Sequence, residues 1–138
     1  MLTVKIITPE RSWEPKQYDS VTLPAFDGQV GILVNHAPFV CQLGRGVLRL
    51  RSKQAANDLD LALSGGVAQV ADNEVRILAE SVVAVDEIDD EALLRELHLL
   101  DDKDYEDSVE MAEAQSKAFW IATQLKAKGK TVPDLKKF

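Results

Sequence analysis

The segment Leu23–Phe39 reads LPAFDGQVGILVNHAPF, and its reading decides the fold. It holds an Asp27-Gly28 turn signal, a second glycine at Gly31, a short apolar run and a His36-Ala37-Pro38 corner within seventeen residues. Turn chemistry this dense belongs to short strands joined by tight connections. It suits either an active site built on loops or a docking surface of braced backbone. The rest of the chain has to choose between them.

Outward from that segment, the pattern up to about Asp86 has period two. Leu2, Val4 and Ile6 alternate with Thr3 and Lys5. Leu48 and Leu50 alternate with Arg49 and Arg51, Leu59, Leu61 and Leu63 with Asp60 and Ala62, and Val75 and Ile77 flank Arg76. Asp72-Asn73 reads as a hairpin turn, and Pro9, Pro15, Pro24, Gly44, Gly46 and Gly65-Gly66 punctuate the rest. Strands with one apolar and one polar face predict an antiparallel sandwich or barrel over residues 1–86.

Residues 87–138 read differently. Asp86 to Glu91 supplies carboxylates able to cap a helix start, and Leu93, Leu94, Leu97 and Leu100 then recur at helical spacing. Asp101 to Asp104 reads as a connector. A second helix is predicted with Val109, Ala112, Ser116, Phe119 and Thr123 on its apolar stripe and Trp120 beside it, ending at Gly129 and Pro133. The whole is a two-helix antiparallel hairpin. From Glu87 to Glu113 acids outnumber bases twelve to two, whereas Ala114 to Phe138 carries six lysines against Asp134 alone. Two solvated helix faces explain this; so does an arm whose basic tip seeks an acidic partner.

Composition removes several functions. Hydrophobic residues make up 46% and charged residues 28% of the 138, as in a domain that buries a core. A net charge of −7 makes nucleic acid a poor partner. Cys41 is the single cysteine, so no internal disulfide forms and a reducing compartment is expected. The N-terminus alternates like a strand and lacks the layout of a signal peptide, and no run spans a bilayer. His36, His98 and Cys41 have no metal-ligand spacing, and no phosphate-cradling glycine loop or nucleophile elbow occurs. Neither metal nor cofactor is expected. His36 as a general base would need an orienting carboxylate, for which Asp27 is the candidate in its own loop region. A histidine before Ala-Pro on a sandwich corner is more often a structural hydrogen-bonder. Asp89-Asp90 and Asp101-Asp102 read as cap residues, not as acid–base pairs.

LTVKIITPE, LPAFDGQVGILVNHAPFVCQLGRGVLRL and LALSGGVAQVADNEVRILAESV, in this order and spacing over residues 2–85, resemble the epsilon subunit of F-type ATP synthase. The resemblance implies a sandwich of about ten strands followed by a two-helix C-terminal domain. It implies a non-catalytic central-stalk subunit that joins the gamma subunit to the membrane rotor ring, couples proton flow to ATP synthesis and modulates hydrolysis. It places the segment Asp27, Gly28, Gln29, Val30 and Gly31 toward the ring and His36 near gamma. It brings the basic residues Lys117, Lys126, Lys128 and Lys130 toward the catalytic head when the hairpin extends. It implies a peripheral location on the cytoplasmic face of a bacterial inner membrane or the stromal face of a thylakoid; the missing transit peptide favours these. ATP-binding members carry I-[DL]-x-x-R-A at the first helix. Here Ile88-Asp89-Asp90-Glu91 continues into Ala92-Leu93, so no bound ATP is expected. On the residues alone, the competing readings are a ligand-binding sandwich with a helical dimerisation arm and a small hydrolase using His36.

Overall fold

The computed structural model describes residues 1–138 and divides the chain into two compact units, Met1–Ala84 and Val85–Phe138. The first contains β1 (Leu2–Ile7), β2 (Ser12–Tyr18), β3 (Ser20–Ala25), β4 (Gly28–Leu33), β5 (Phe39–Arg51), β6 (Leu59–Ala71) and β7 (Glu74–Ala84). They form one hydrogen-bonded sheet in the order β2-β1-β7-β6-β5-β3-β4. All pairings are antiparallel except β1 with β7, which is parallel. The expected antiparallel sandwich is borne out, with this one parallel pair as a detail that the alternation pattern did not show.

A flat sheet this wide could not bring its edges together, since strands lie roughly 4.8 Å apart. Yet one core cluster takes Tyr18 from β2, Ile32 from β4 and side chains from every strand between them. The sheet therefore folds over on itself. The line of folding is visible in the side-chain parity of the three long strands. In β5 the core takes Leu43, then Leu48 and Leu50; in β6, Leu61 and Leu63, then Ala68 and Val70; in β7, Val75, Ile77 and Ala79, then Val82 and Ala84. Odd positions give way to even ones in all three, while the pairing register stays constant. The change falls at Gly44, Gly65 and Glu80, which lie side by side.

Gly66 shows why this line needs glycine. Its φ is 129°, and a Cβ there would lie 2.0 Å from the Leu78 carbonyl oxygen. No side chain fits. The long strands β5, β6 and β7 each pass through the fold line in one register, with only the pairs at Gly44, Gly65 and Glu80 dropping out of the ladder. That is why seven strands stand where about ten were expected: each long strand supplies a segment to both layers. One layer holds β2, β1, the first half of β7, the second half of β6 and the first half of β5. The other holds the remaining halves with β3 and β4.

The second unit contains α1 (Asp90–Asp102) and α2 (Ser108–Ala127). Asp89 caps α1 by accepting the Ala92 N–H at 3.1 Å, and Asp107 caps α2 by accepting the Glu110 N–H at 2.7 Å. Leu97, Ala118, Ile121 and Leu125 form the core between them, with Leu93, Leu94 and Leu100 packed at its border. The α1 stripe is the expected one. The α2 stripe is so only at Thr123, which is buried: Val109 and Phe119 are exposed, as are Ala112 and Ser116, and the buried face runs through Ala114, Ala118, Ile121 and Leu125. Small alanines let two helices approach closely, and their low hydrophobicity hid this face behind larger residues.

Asp101 and Asp102 form the last turn of α1, not a connector. After Gly129, whose φ of 77° terminates α2, the tail returns across the hairpin and packs Val132, Leu135 and Phe138 against its core. Asp101 holds the end of that tail by accepting the backbone N–H groups of Lys136 at 2.9 Å and Lys137 at 2.8 Å. These bonds, the Lys136 amide first, keep its carboxyl below the usual carboxylate range.

Candidate docking surfaces

The β3–β4 hairpin closes through Phe26 and Asp27, with Ala25 paired to Gly28. Gly28 has φ 138°, a value that L side chains rarely adopt. The turn is pinned from behind: the Phe26 N–H donates to the Gln42 carbonyl at 2.9 Å, and Gly44 passes close to the backbone of Ala25 and Phe26. This places the turn at the folded end of the sandwich. Phe26, the residue that sequence reasoning missed, is 74% exposed at its tip. The signal was available, since an aromatic inside a two-residue hairpin turn has no core to enter. Gln29, Val30 and Gly31 are not loop residues; they belong to strand β4 and pair with Pro24, Leu23 and Thr22. Burial pushes the Cys41 thiol up, and the Asp27 carboxylate adds to the effect.

His36 lies at the other end of β4. Its N–H donates to the Leu33 carbonyl at 3.1 Å, in a turn that sets Asn35 at φ 66°. Its ring Nδ1 bonds the Ala37 carbonyl at 2.7 Å and its edge faces Phe39, with 5.7 Å between ring centroids. The hydrogen bond goes to a carbonyl, not to a carboxylate or a nucleophile. Asp27 is separated from it by the six residues of β4, roughly 20 Å at the rise of a strand. Asp27 and His36 cannot act as a catalytic pair. No group of three or more His, Cys, Asp or Glu side chains converges to hold a metal ion.

The four lysines of the hairpin separate into two kinds. Lys117 and Lys126 are exposed on α2. Lys128 instead bonds the Asp90 carboxylate at 2.9 Å and the Ile88 carbonyl at 2.6 Å, and Lys130 lies 3.8 Å from the same carboxylate. This cross-link, the Lys128 bond first, lowers the Asp90 pKa. Two of the four candidate contacts are therefore engaged within the hairpin itself.

The fold is thus a long-stranded β-sandwich, with its turn-rich hairpin at one end and its His-Ala-Pro corner at the other, followed by a C-terminal helix pair. Residues 1–85 match the family described as ATP synthase, Delta/Epsilon chain, beta-sandwich domain, and the chain belongs to that family. It is 44% identical over 77 residues to the ATP synthase epsilon chain of a Nostoc species, a match spanning 56% of each chain. It is 44% identical over 96 residues to the chloroplastic epsilon chain of Cyanidium caldarium, covering 67% of this chain and 71% of that one. A chain in a Euglena gracilis mitochondrial ATP synthase structure containing OSCP, F1 and c-ring superposes with a TM-score of 0.71 at 25% identity, over 91% of this chain and 79% of that one. A chain from the central stalk and c-ring of the Tetrahymena thermophila mitochondrial enzyme shares the fold, with a TM-score of 0.63 at 18% identity over 92% and 96% of the two chains.

Proposed function

We propose that this chain is a central-stalk subunit of an F-type ATP synthase, with no active site of its own, that joins the gamma subunit to the membrane rotor ring. It couples proton flow to ATP synthesis and restrains hydrolysis through its helical hairpin. The observation that carries the reading is the placement of the two family-specific features at opposite ends of one stiff body. Asp27 and Gly28 sit at the folded end and His36 at the other, with the ladder of β4 between them. A connector that transmits torque needs contacts at separated points on a body that does not shear. Continuous strands crossing both layers supply that stiffness. In this reading the hairpin turn faces the ring, the His36 corner faces gamma, and the extended helical arm meets the catalytic head. The protein lies at the membrane through the complex; no helix is long and apolar enough to cross a bilayer.

Co-purification tests the reading: the tagged chain should bring down gamma and the ring, and a reconstituted complex lacking it should lose proton-coupled synthesis. A chain that recovers neither partner, or a complex that stays coupled without it, contradicts the proposal. The sandwich interior is filled by fully buried Leu2, Leu23, Leu48, Leu50, Leu61 and Leu63.

A further inference from the structure

The two edges of the sheet are built differently. The edge strand β2 carries Pro15 between Glu14 and Lys16, and its register with β1 breaks between Val4 and Ile6. Charge, proline and a bulge are the usual means of blocking further pairing. The opposite edge, β4, reads GQVGIL, with no charge, no proline and no irregularity in its pairing.

The direction of each backbone group along β4 follows from the register. The Phe26 N–H bonds the Gln42 carbonyl on β5. Alternation along β3 then turns the backbones of Pro24, Thr22 and Ser20 toward β5, and those of Ala25, Leu23 and Val21 toward β4. Pro24 fits this assignment, because its missing N–H falls where the β3–β5 register shifts between Thr22 and Ala25. The partners Gly28, Val30 and Ile32 therefore spend their groups on β3. Gln29, Gly31 and Leu33 aim theirs away from the sheet. The Leu33 carbonyl is taken by His36, which leaves the N–H groups of all three and the carbonyls of Gln29 and Gly31 facing outward. All three residues are exposed, and a Cβ built on Gly31 meets nothing within 4 Å. A second strand could approach at ladder distance without steric opposition.

We infer that β4 is a strand-addition edge, whose outward groups at Gln29, Gly31 and Leu33 pair with an extended segment of the rotor shaft subunit. The inference rests on the functional reading above, extends the shaft contact from the His36 corner along β4, and assigns Gln29 and Gly31 to the shaft where the resemblance placed them toward the ring. The membrane ring is a poor occupant, because spanning segments close their own hydrogen bonds as helices or barrels and leave no strand to offer. A second copy is disfavoured by charge: each chain carries −7, and two would repel on approach. The fitting partner is a water-exposed segment that is neutral or basic, extended over about five residues.

Hydrogen exchange on the isolated chain and on the assembled shaft complex reads the pairing directly. The amides of Gln29, Gly31 and Leu33 exchange quickly in the free chain and slow by about tenfold or more in the complex, as paired strand amides do. The variant Gly31→Pro removes an N–H that the sandwich does not use, so its unfolding midpoint stays near the parent's while shaft affinity falls about tenfold. Ile32→Pro is the control, since it deletes a bonded N–H and lowers the midpoint itself. Shaft binding with the three amides still exchanging as in the free chain overturns strand addition and leaves the functional reading intact. So does a folded Gly31→Pro chain that binds like the parent. A parent chain that binds no shaft overturns the functional reading instead. A homodimer of the parent that Gly31→Pro abolishes overturns the choice of occupant.

Discussion

The side chain of Asn73 accepts the Asn35 backbone N–H at 2.6 Å and returns its own amide N–H to the Asn35 side-chain oxygen at 3.2 Å. Asn35 follows β4 in one layer of the sandwich, and Asn73 sits in the β6–β7 turn of the other. The same turn accepts the Thr3 N–H on its Asn73 carbonyl at 2.9 Å. The pair thus clasps the layers at the end opposite the fold line. Both residues have positive φ, 66° and 58°. Asparagine tolerates that backbone while supplying the amide, a combination that glycine lacks.

Asn73→Gly keeps the backbone and removes the clasp. It should cost about 1–2 kcal/mol in urea unfolding, the usual worth of one or two part-exposed hydrogen bonds. Asn35→Gly should cost the same, and the double variant less than the sum, because each single change already breaks the shared contact. Additive losses would show that the two residues act separately.

Gly66→Ala tests the fold line. With the Leu78 carbonyl 2.0 Å from the new Cβ, the strand must move or the sandwich must open. A loss of at least about 4 kcal/mol is expected, at the extreme of single substitutions. Gly31→Ala meets open space and should stay within about 0.5 kcal/mol of the parent. Comparable thermal midpoints for the two variants would refute the role of Gly66.

The sandwich was legible because alternation is a strong signal: Leu2, Val4 and Ile6, or Val75 and Ile77, can face one core only as strands. The strand count was not, because Gly44 and Gly65-Gly66 read as breaks although the strands keep one register across them. The α2 face was misread for a different reason. Ala114 and Ala118 are buried but add little apolar weight, while Val109 and Phe119 carry much and stay exposed. Asp101 could not be found by pattern at all, since its partners are backbone amides 35 and 36 residues away. Of the candidate docking residues, the hairpin turn and His36 were legible as turn chemistry. That Lys128 and Lys130 are tied to Asp90 was not, because helix pairing decides it.

Acid should loosen the helical unit at its two carboxylate ties. Asp90 is held low chiefly by Lys128, and Asp101 chiefly by the Lys136 amide. A carboxyl depressed in the folded state adds stability above its unfolded pKa, near 4, and loses it as pH falls through the folded value. Protection of the Lys136 and Lys137 amides, taken against the unstructured exchange rate at the same pH, should therefore stay high at pH 6 and fall below about pH 4. Asp101→Asn should show low protection at both. Tail amides that stay protected at low pH would remove Asp101 as the latch.

Ending the chain after Asp86 separates the two units functionally. The sandwich core draws only on residues between Leu2 and Ala84, so the shortened chain keeps its cluster whole. Proton-driven synthesis should persist in reconstituted vesicles, while ATP hydrolysis should rise or stay level. Lost coupling would place an essential stalk contact in the helices.

The lysines predict a salt dependence that distinguishes a docking contact from an internal brace. Lys117 and Lys126 are exposed, so any attraction they exert on an acidic partner acts through water and is screened as the Debye length shrinks from about 10 Å at 0.1 M to about 3 Å at 1 M salt. Hydrolysis restrained by the hairpin should recover at high salt, and replacing both lysines with glutamine should give that recovery at low salt already. Each exposed charge is worth at most about 1 kcal/mol, so the pair should change the inhibition constant by up to roughly thirtyfold. Lys128→Met should behave differently. Its ammonium is spent on Asp90 and the Ile88 carbonyl, so removing it should free the hairpin and accelerate exchange along α1 without altering the salt slope. Inhibition that ignores both salt and the Lys117 and Lys126 replacements would mean the arm engages by packing alone.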